Sequence, residues 1–167
     1  MLTTDQFRSL FVVVPNHADG NCLFESIEYL IKGAHSAPEI REMVGEFYRN
    51  FDKNIDYPES TIENTIKIGN LFDNIDDEMP HDYNIWNDNV WASMTDVLIC
   101  SLIFEVNINL YKYHSEIEMY HVEKITSQYN FTNTVDLLYN GINHFEALDP
   151  GEITRLKNSR VSDYVDI

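Results

Sequence analysis

Positive charge is what this chain has least of. Eleven Lys and Arg face 28 Asp and Glu across 167 residues, leaving a net charge of −17. Gripping a phosphate backbone or an anionic membrane takes clustered cations, so neither nucleic acid nor membrane is expected as a partner. The acidic balance suits a basic protein or peptide, and it equally suits plain solubility. No stretch reaches the roughly 18 apolar residues of a membrane-spanning helix. Met1 to Asp5 shows no basic region leading into an apolar core, so no secretory signal is expected. Cysteine is scarce as well. Cys22 and Cys100 are the whole supply, and without a secretory signal a reduced, cytosolic setting is expected rather than a disulfide. CxxC and HExxH spacings are missing, so no metal site is expected. What is present is a 44% hydrophobic and 13% aromatic chain, which is globular in composition. Its length suggests a single domain over residues 1–167 with a real core.

The order of patterns along the chain mixes strands and helices. Residues 3–9 read as a polar lead-in of about one helical turn. Phe11-Val12-Val13-Val14, closed by Pro15, reads as a strand buried on both faces. Leu23, Phe24, Ile27, Leu30 and Ile31 keep helical spacing from Cys22 to about Lys32, where Gly33 stops the helix. Ser36-Ala37-Pro38-Glu39 opens the next one: Ser36 caps, Pro38 suits the first turn and Glu39 completes a capping box. Ile40, Met43, Val44 and Phe47 carry its apolar stripe to about Asn50. Residues 52–90 turn acidic, with one helix after Pro58 (Ile62, Ile66, Leu71) and an acidic loop from Asn74 to Asn89. Asp76-Asp77-Glu78 lacks EF-hand spacing and reads as a solvated face. Ser93-Met94-Thr95-Asp96 is a second capping box, opening a helix in which Cys100 reads as core. Strands follow at 106–113, 118–122, 135–139 and 143–148, with residues 130–134 as loop, Asn140-Gly141 as a tight turn, and Asp149-Pro150-Gly151 ending the last strand. The tail from Glu152 is polar.

Chemistry concentrates at Asp19-Gly20-Asn21-Cys22-Leu23-Phe24. A cysteine in the first turn of a helix lies at the positive end of the dipole, facing unpaired N–H groups. Both favour the thiolate, which is the nucleophile. The backbone N–H groups of Gly20, Asn21 and Cys22 are suited to hold an oxyanion beside the sulfur. The alternative is a small buried hydrophobe. A nucleophile needs a base, and there are six histidines: His17, His35, His81, His114, His121 and His144. His144 stands out, opening a late strand just after a tight turn. Glu146, two residues on, would share its strand face and orient the ring, the third-group role of a Cys/His/acid arrangement. A surface or structural histidine is the competing reading, and spacing alone does not bring His144 to Cys22.

Asp19 to Phe24 early and Asn143-His144-Phe145 late resemble the two signature blocks of the ovarian tumour (OTU) family of cysteine proteases. Trp91-Ala92-Ser93-Met94-Thr95-Asp96, followed by a helix and a strand, resembles the block between them, with Ala92 where the family usually has Gly. The resemblance covers about residues 9–148, with 149–167 as a polar tail. It implies an α/β (α+β), papain-like fold with a central mixed sheet flanked by helices. It implies hydrolysis of isopeptide bonds at the C-terminal Gly of ubiquitin or a ubiquitin-like modifier, through a thioester and without a cofactor. Cys22 matches the nucleophile, His144 the general base and Asp19 the aspartate that supports the active-site loop. Glu146 stands where the family often has Asp or Asn, one methylene longer, with Asn143 as an alternative orienter. The implied partner is ubiquitin or polyubiquitin, met by a monomer in the cytoplasm. That would be the host cytosol for a virus or intracellular pathogen, which the Asn-, Ile- and Tyr-rich composition suits. Asp73, Asp76, Asp77 and Glu78 are candidates to pair with the cationic modifier tail. Three alternatives stay open: a polyprotein-processing protease of the same family, a ubiquitin-binding module with poor turnover, and an acidic interaction module with a structural Cys22.

Overall fold

The computed structural model describes residues 1–17, 19–50, 85, 91–125 and 131–151. The expected helix after Pro58, the acidic loop 74–89, the four carboxylates of residues 73–78 and the tail from Glu152 lie outside the described residues. The architecture is mixed α/β, built on one six-stranded sheet. In chain order the strands are β1 (Leu2–Thr3), β2 (Phe11–Val14), β3 (Val106–His114), β4 (Met119–Ile125), β5 (Asn133–Tyr139) and β6 (Phe145–Pro150). Across the sheet they run β1-β4-β3-β5-β6-β2. The β3–β5 pair is parallel and the rest are antiparallel. The helices are α1 (Thr4–Leu10), α2 (Cys22–Leu30), α3 (Ala37–Asn50) and α4 (Met94–Phe104).

Local chemistry accounts for most boundaries. Thr3 and Gln6 form a reciprocal capping box that starts α1. Past α2 the chain turns left-handed at Lys32, φ +58°, and stays so at Gly33, φ +71°, so the stop falls one residue before the glycine. The Ser36 hydroxyl accepts from the Glu39 N–H at the start of α3. Ser93 and Asp96 make the capping box of α4, where the fully buried Asp96 carboxylate accepts from the Ser93 N–H at 2.7 Å. In β3 the alternation is clear: Val106, Ile108 and Leu110 are buried, and their neighbours turn to the other face.

One core joins these elements. Leu23, Phe24 and Ile27 of α2 meet Ile40 and Val44 of α3, Val97, Ile99 and Leu102 of α4, and Ile108, Leu137 and Phe145 of the sheet. On the other face of β3, Tyr111 belongs to an aromatic cluster with Phe7, Phe11 and Tyr120, in which Phe7 stacks on Tyr120 at 3.8 Å between centroids. Phe11 on β2 and Tyr111 on β3 are 4.9 Å apart although two strands separate them in the sheet order, so the sheet curls over α1.

Three sequence expectations are corrected. Phe11–Val14 is not buried on both faces: β2 is an edge strand paired with β6 alone, and Val12 is 56% exposed. The loop expected at 130–134 gives way to β5 from Asn133, where Val106↔Asn133 begins the parallel ladder. The last strand begins at Phe145 rather than Asn143 and runs on to Pro150, which pairs Phe11 at the outer end of the β2–β6 ladder. Its late start has a local cause. The Asn140 Oδ1 accepts from the N–H groups of Ile142, Asn143 and His144, at 2.8, 2.9 and 3.0 Å, holding those residues in a tight loop outside the ladder.

Candidate active site

The thiol is positioned from two directions. From below, the turn before α2 is tied by Asp19, whose Oδ1 accepts from the Asn21 N–H at 2.9 Å and whose carbonyl accepts from the Cys22 N–H at 3.3 Å. The Asn21 carbonyl then accepts from the Glu25 N–H, and the helix is under way. From the side come residues 121 to 123 positions later in the chain. The Cys22 Sγ–H donates to the Asn143 carbonyl at 3.5 Å, and the Phe145 N–H donates to Sγ at 3.4 Å. The sulfur is thus bracketed by the two backbone groups that flank His144. Sequence spacing could not bring the backbone on either side of His144 to Cys22; the packing of α2 on β6 does.

His144 itself sits in the loop before β6, not on the strand, so the period-two argument for Glu146 does not apply. The two side chains still meet, with His144 Nε2 3.7 Å from Glu146 Oε1. His144 Nδ1 is buried with no hydrogen-bond partner among the described residues. Asn143 turns its side chain elsewhere: its Oδ1 accepts from the Asn140 amide at 3.5 Å, while its carbonyl takes the thiol. Of the two candidate orienters, Glu146 is the one beside the ring.

Electrostatics at Cys22 run against the helix-dipole expectation. Burial pushes the thiol above its ordinary value, and the Cys22 residue is only 1% exposed. The N–H groups of Phe145 and Leu23 pull it down, and the carboxylates of Asp19 and Glu25 push it up again. Loss of hydration and two nearby carboxylates outweigh the oriented backbone. Two of the expected oxyanion donors are engaged within the loop, the Asn21 N–H by Asp19 Oδ1 and the Cys22 N–H by the Asp19 carbonyl. Cys100 is fully buried in α4, and burial raises its thiol far out of the reactive range.

Four residues that sequence reasoning passed over build this site. The Asn16 amide donates to the Cys22 carbonyl, the Ser26 hydroxyl and the Phe145 carbonyl at 3.1, 3.0 and 2.9 Å. Ser26 donates to the Cys22 carbonyl at 2.7 Å, so Asn16 and Ser26 staple the first turn of α2 to the start of β6. Asn140 shapes the His144 loop. Arg41, on α3, is 2% exposed and reaches the turn before Cys22. Arg41 left a readable signal: it stands next to Ile40 and three residues before Val44, on the inward stripe, where an arginine must find partners.

Comparison with solved structures agrees with this fold. One relative, described as an ovarian tumour domain in complex with ubiquitin, superposes with a TM-score of 0.61 at 24% identity, covering 85% of this chain and 71% of that one. An OTU deubiquitinase from Wolbachia pipientis wMel bound to ubiquitin gives 0.54 at 17% identity, covering 84% and 96%. The viral OTU domain protease of Qalyub virus gives 0.57 at 17% identity, covering 86% and 87%. Curated proteins returned no match. At these identities the likeness speaks for the fold. A family model described as OTU-like cysteine protease matches residues 17–145, a span that holds the Cys22 turn at one end and His144 at the other, and the chain therefore belongs to the OTU-like cysteine protease family.

Proposed function

We propose that this chain is a thiol-dependent deubiquitinase, cleaving isopeptide bonds at the C-terminal Gly of ubiquitin or a ubiquitin-like modifier. The observation that carries the reading is the bracketing of Cys22 Sγ by the Asn143 carbonyl and the Phe145 N–H, the groups on either side of His144. Two of the solved structures it resembles are complexes with ubiquitin.

The geometry suits a definite division of labour. Glu146 faces Nε2 of His144, which leaves the unpartnered Nδ1 as the base. Nδ1 takes the Sγ proton, and the carboxylate stabilises the imidazolium. The thiolate attacks the carbonyl carbon of the terminal Gly. The oxyanion is held by the backbone of the turn, with the Gly20 N–H as donor, the Cys22 N–H joining it on leaving the Asp19 carbonyl, and Asp19 supporting the turn from within. His144 returns the proton to the departing lysine amine, leaving a thioester. Water, deprotonated by His144, hydrolyses it and frees Cys22. No cofactor enters this cycle.

A second reading has one observation behind it. The His144–Glu146 separation of 3.7 Å exceeds a hydrogen bond. A domain that binds ubiquitin and turns over slowly would fit that gap.

The test is ubiquitin carrying an electrophile at its C-terminus. The expected outcome is a covalent adduct that is absent in Cys22→Ala and slowed at least about 100-fold in His144→Ala. Folded wild-type protein that forms no adduct with this probe or with its ubiquitin-like counterparts would overturn the reading. Adduct formation with negligible turnover of diubiquitin would favour the slow domain.

A further inference from the structure

Arg41 is a buried cation whose hydrogen bonds run to the nucleophile's turn. Its Nη2 donates to the Gly20 carbonyl at 2.8 Å and to Asn21 Oδ1 at 2.8 Å, and Nε donates to the same Oδ1 at 3.3 Å. Nη1 donates to the Ile85 carbonyl at 2.9 Å. The guanidinium carbon lies 4.5 Å from the centroid of the Phe24 ring. A planar fork with donors on three nitrogens fixes direction as well as distance, which a lysine ammonium does not. The bonds reach one peptide carbonyl and one side chain of consecutive residues, Gly20 and Asn21, immediately before Cys22.

We propose that Arg41 is a positioning residue of the reaction: it holds the Gly20–Asn21 segment so that the turn presents its N–H groups to the developing oxyanion. The reasoning is geometric. The Gly20 carbonyl belongs to the same peptide plane as the Asn21 N–H, and that N–H donates to Asp19 Oδ1. Pulling the carbonyl toward Arg41 sends the N–H the opposite way, onto Asp19. The turn is thereby gripped on both sides of one plane, by a cation on the oxygen and a carboxylate on the hydrogen. Glycine at position 20 would otherwise leave this segment free to rotate. Pinning it fixes the direction of the neighbouring Gly20 N–H, the oxyanion donor, and of the Cys22 N–H, which rests on the Asp19 carbonyl. Phe24, one turn into α2, braces the guanidinium from the helix side. This role rests on the deubiquitinase reading for its kinetic consequence, and on the hydrogen bonds alone for its structural one.

The experiment compares wild type with Arg41→Lys, Arg41→Met and Asn21→Ala, each read two ways. The first reading is steady-state hydrolysis of ubiquitin bearing a C-terminal fluorogenic amide. Arg41→Met is expected to lose about 100-fold in kcat, the scale of one misplaced oxyanion donor, with KM within about twofold. Arg41→Lys should fall between it and wild type, and Asn21→Ala should lose about fivefold. The Arg41→Lys/Asn21→Ala pair should lose less than the product of the two losses, because they share an interaction. The second reading is amide hydrogen exchange, which needs no substrate. Protection of the Asn21 and Cys22 N–H groups should fall in Arg41→Met and Asn21→Ala, while the core amides of Ile99 and Leu137 keep theirs.

Wild-type kcat in Arg41→Met would overturn the proposal. So would unchanged Asn21 and Cys22 protection, or an equal loss of protection at Ile99 and Leu137, which would make Arg41 a general core residue. Asn21→Ala guards against an Arg41 variant that fails to fold. If wild type does not turn over ubiquitin, the deubiquitinase reading fails, and the exchange pattern still decides whether Arg41 holds the turn.

Discussion

At the scale of single residues, the site is a compromise between a nucleophile and its burial. Cys22 needs to ionise, yet loss of hydration and the carboxylates of Asp19 and Glu25 hold its thiol above the ordinary range. The sign follows directly. At neutral pH the resting protein carries the thiol, and the thiolate fraction climbs as pH rises through the raised value. Alkylation of Cys22 by iodoacetamide should therefore still be increasing with pH where an unperturbed thiol has levelled off. Glu25→Gln removes one of the upward pushes, so its alkylation profile should move to lower pH. An identical profile would mean that the Glu25 charge is not felt at the sulfur. On the proposed mechanism, full reactivity then depends on His144 taking the proton as substrate arrives.

At the scale of elements, the join between α1 and the β2–β6 edge is a close backbone approach. The Gly151 N–H donates to the Leu10 carbonyl at 2.6 Å. A Cβ added at Gly151 would lie 2.8 Å from the Ser9 carbonyl oxygen and 3.1 Å from that of Leu10. Both are main-chain atoms of the junction between α1 and β2 and cannot swing aside. Gly151→Ala is expected to cost about 1–3 kcal/mol, the range for overpacking, seen as a lower denaturant midpoint with an unchanged slope. Full wild-type stability would show that the junction yields. The same elements order the active site, since β2 is bonded to β6 and β6 begins at Phe145. A shift at that edge would reach the N–H that Cys22 accepts.

At the scale of the whole molecule, net charge and burial act together. With a charge of −17, every carboxylate withdrawn from water adds to self-repulsion. Asp136, in the central strand β5, is one such group. Burial raises its pKa, and a hydrogen bond from the Asn109 amide at 3.1 Å only partly offsets this. Folding therefore favours the protonated form. That contribution is full below the ordinary aspartate value and is lost as pH rises through the raised one. At pH 7 the ionised carboxylate is a burden on the fold. Asp136→Asn, which can still accept from Asn109, should raise Tm at pH 7, with the gain shrinking toward zero as pH falls to 4. A constant gain at both pH values would trace the effect to packing instead.

Much of the fold was readable locally. The Ser93–Asp96 capping box, the helical spacing after Cys22, the alternation of Val106, Ile108 and Leu110, and the arrest just before Gly33 all depend on residues within a turn or two of one another. The sequence by itself therefore determined most element types, and its early cysteine block and late histidine block carried the resemblance to the OTU family. Only the tertiary structure decided what required distance to close. It made Phe11–Val14 an edge strand, brought the backbone of residues 143–145 onto Cys22, and turned Arg41 inward to grip Gly20 and Asn21. Caps and periodicities are short-range and written in order. Sheet position, burial and the direction of a buried side chain are set by contacts between residues from 20 to 129 positions apart, and the desolvation that raises the Cys22 thiol exists only once those contacts have formed.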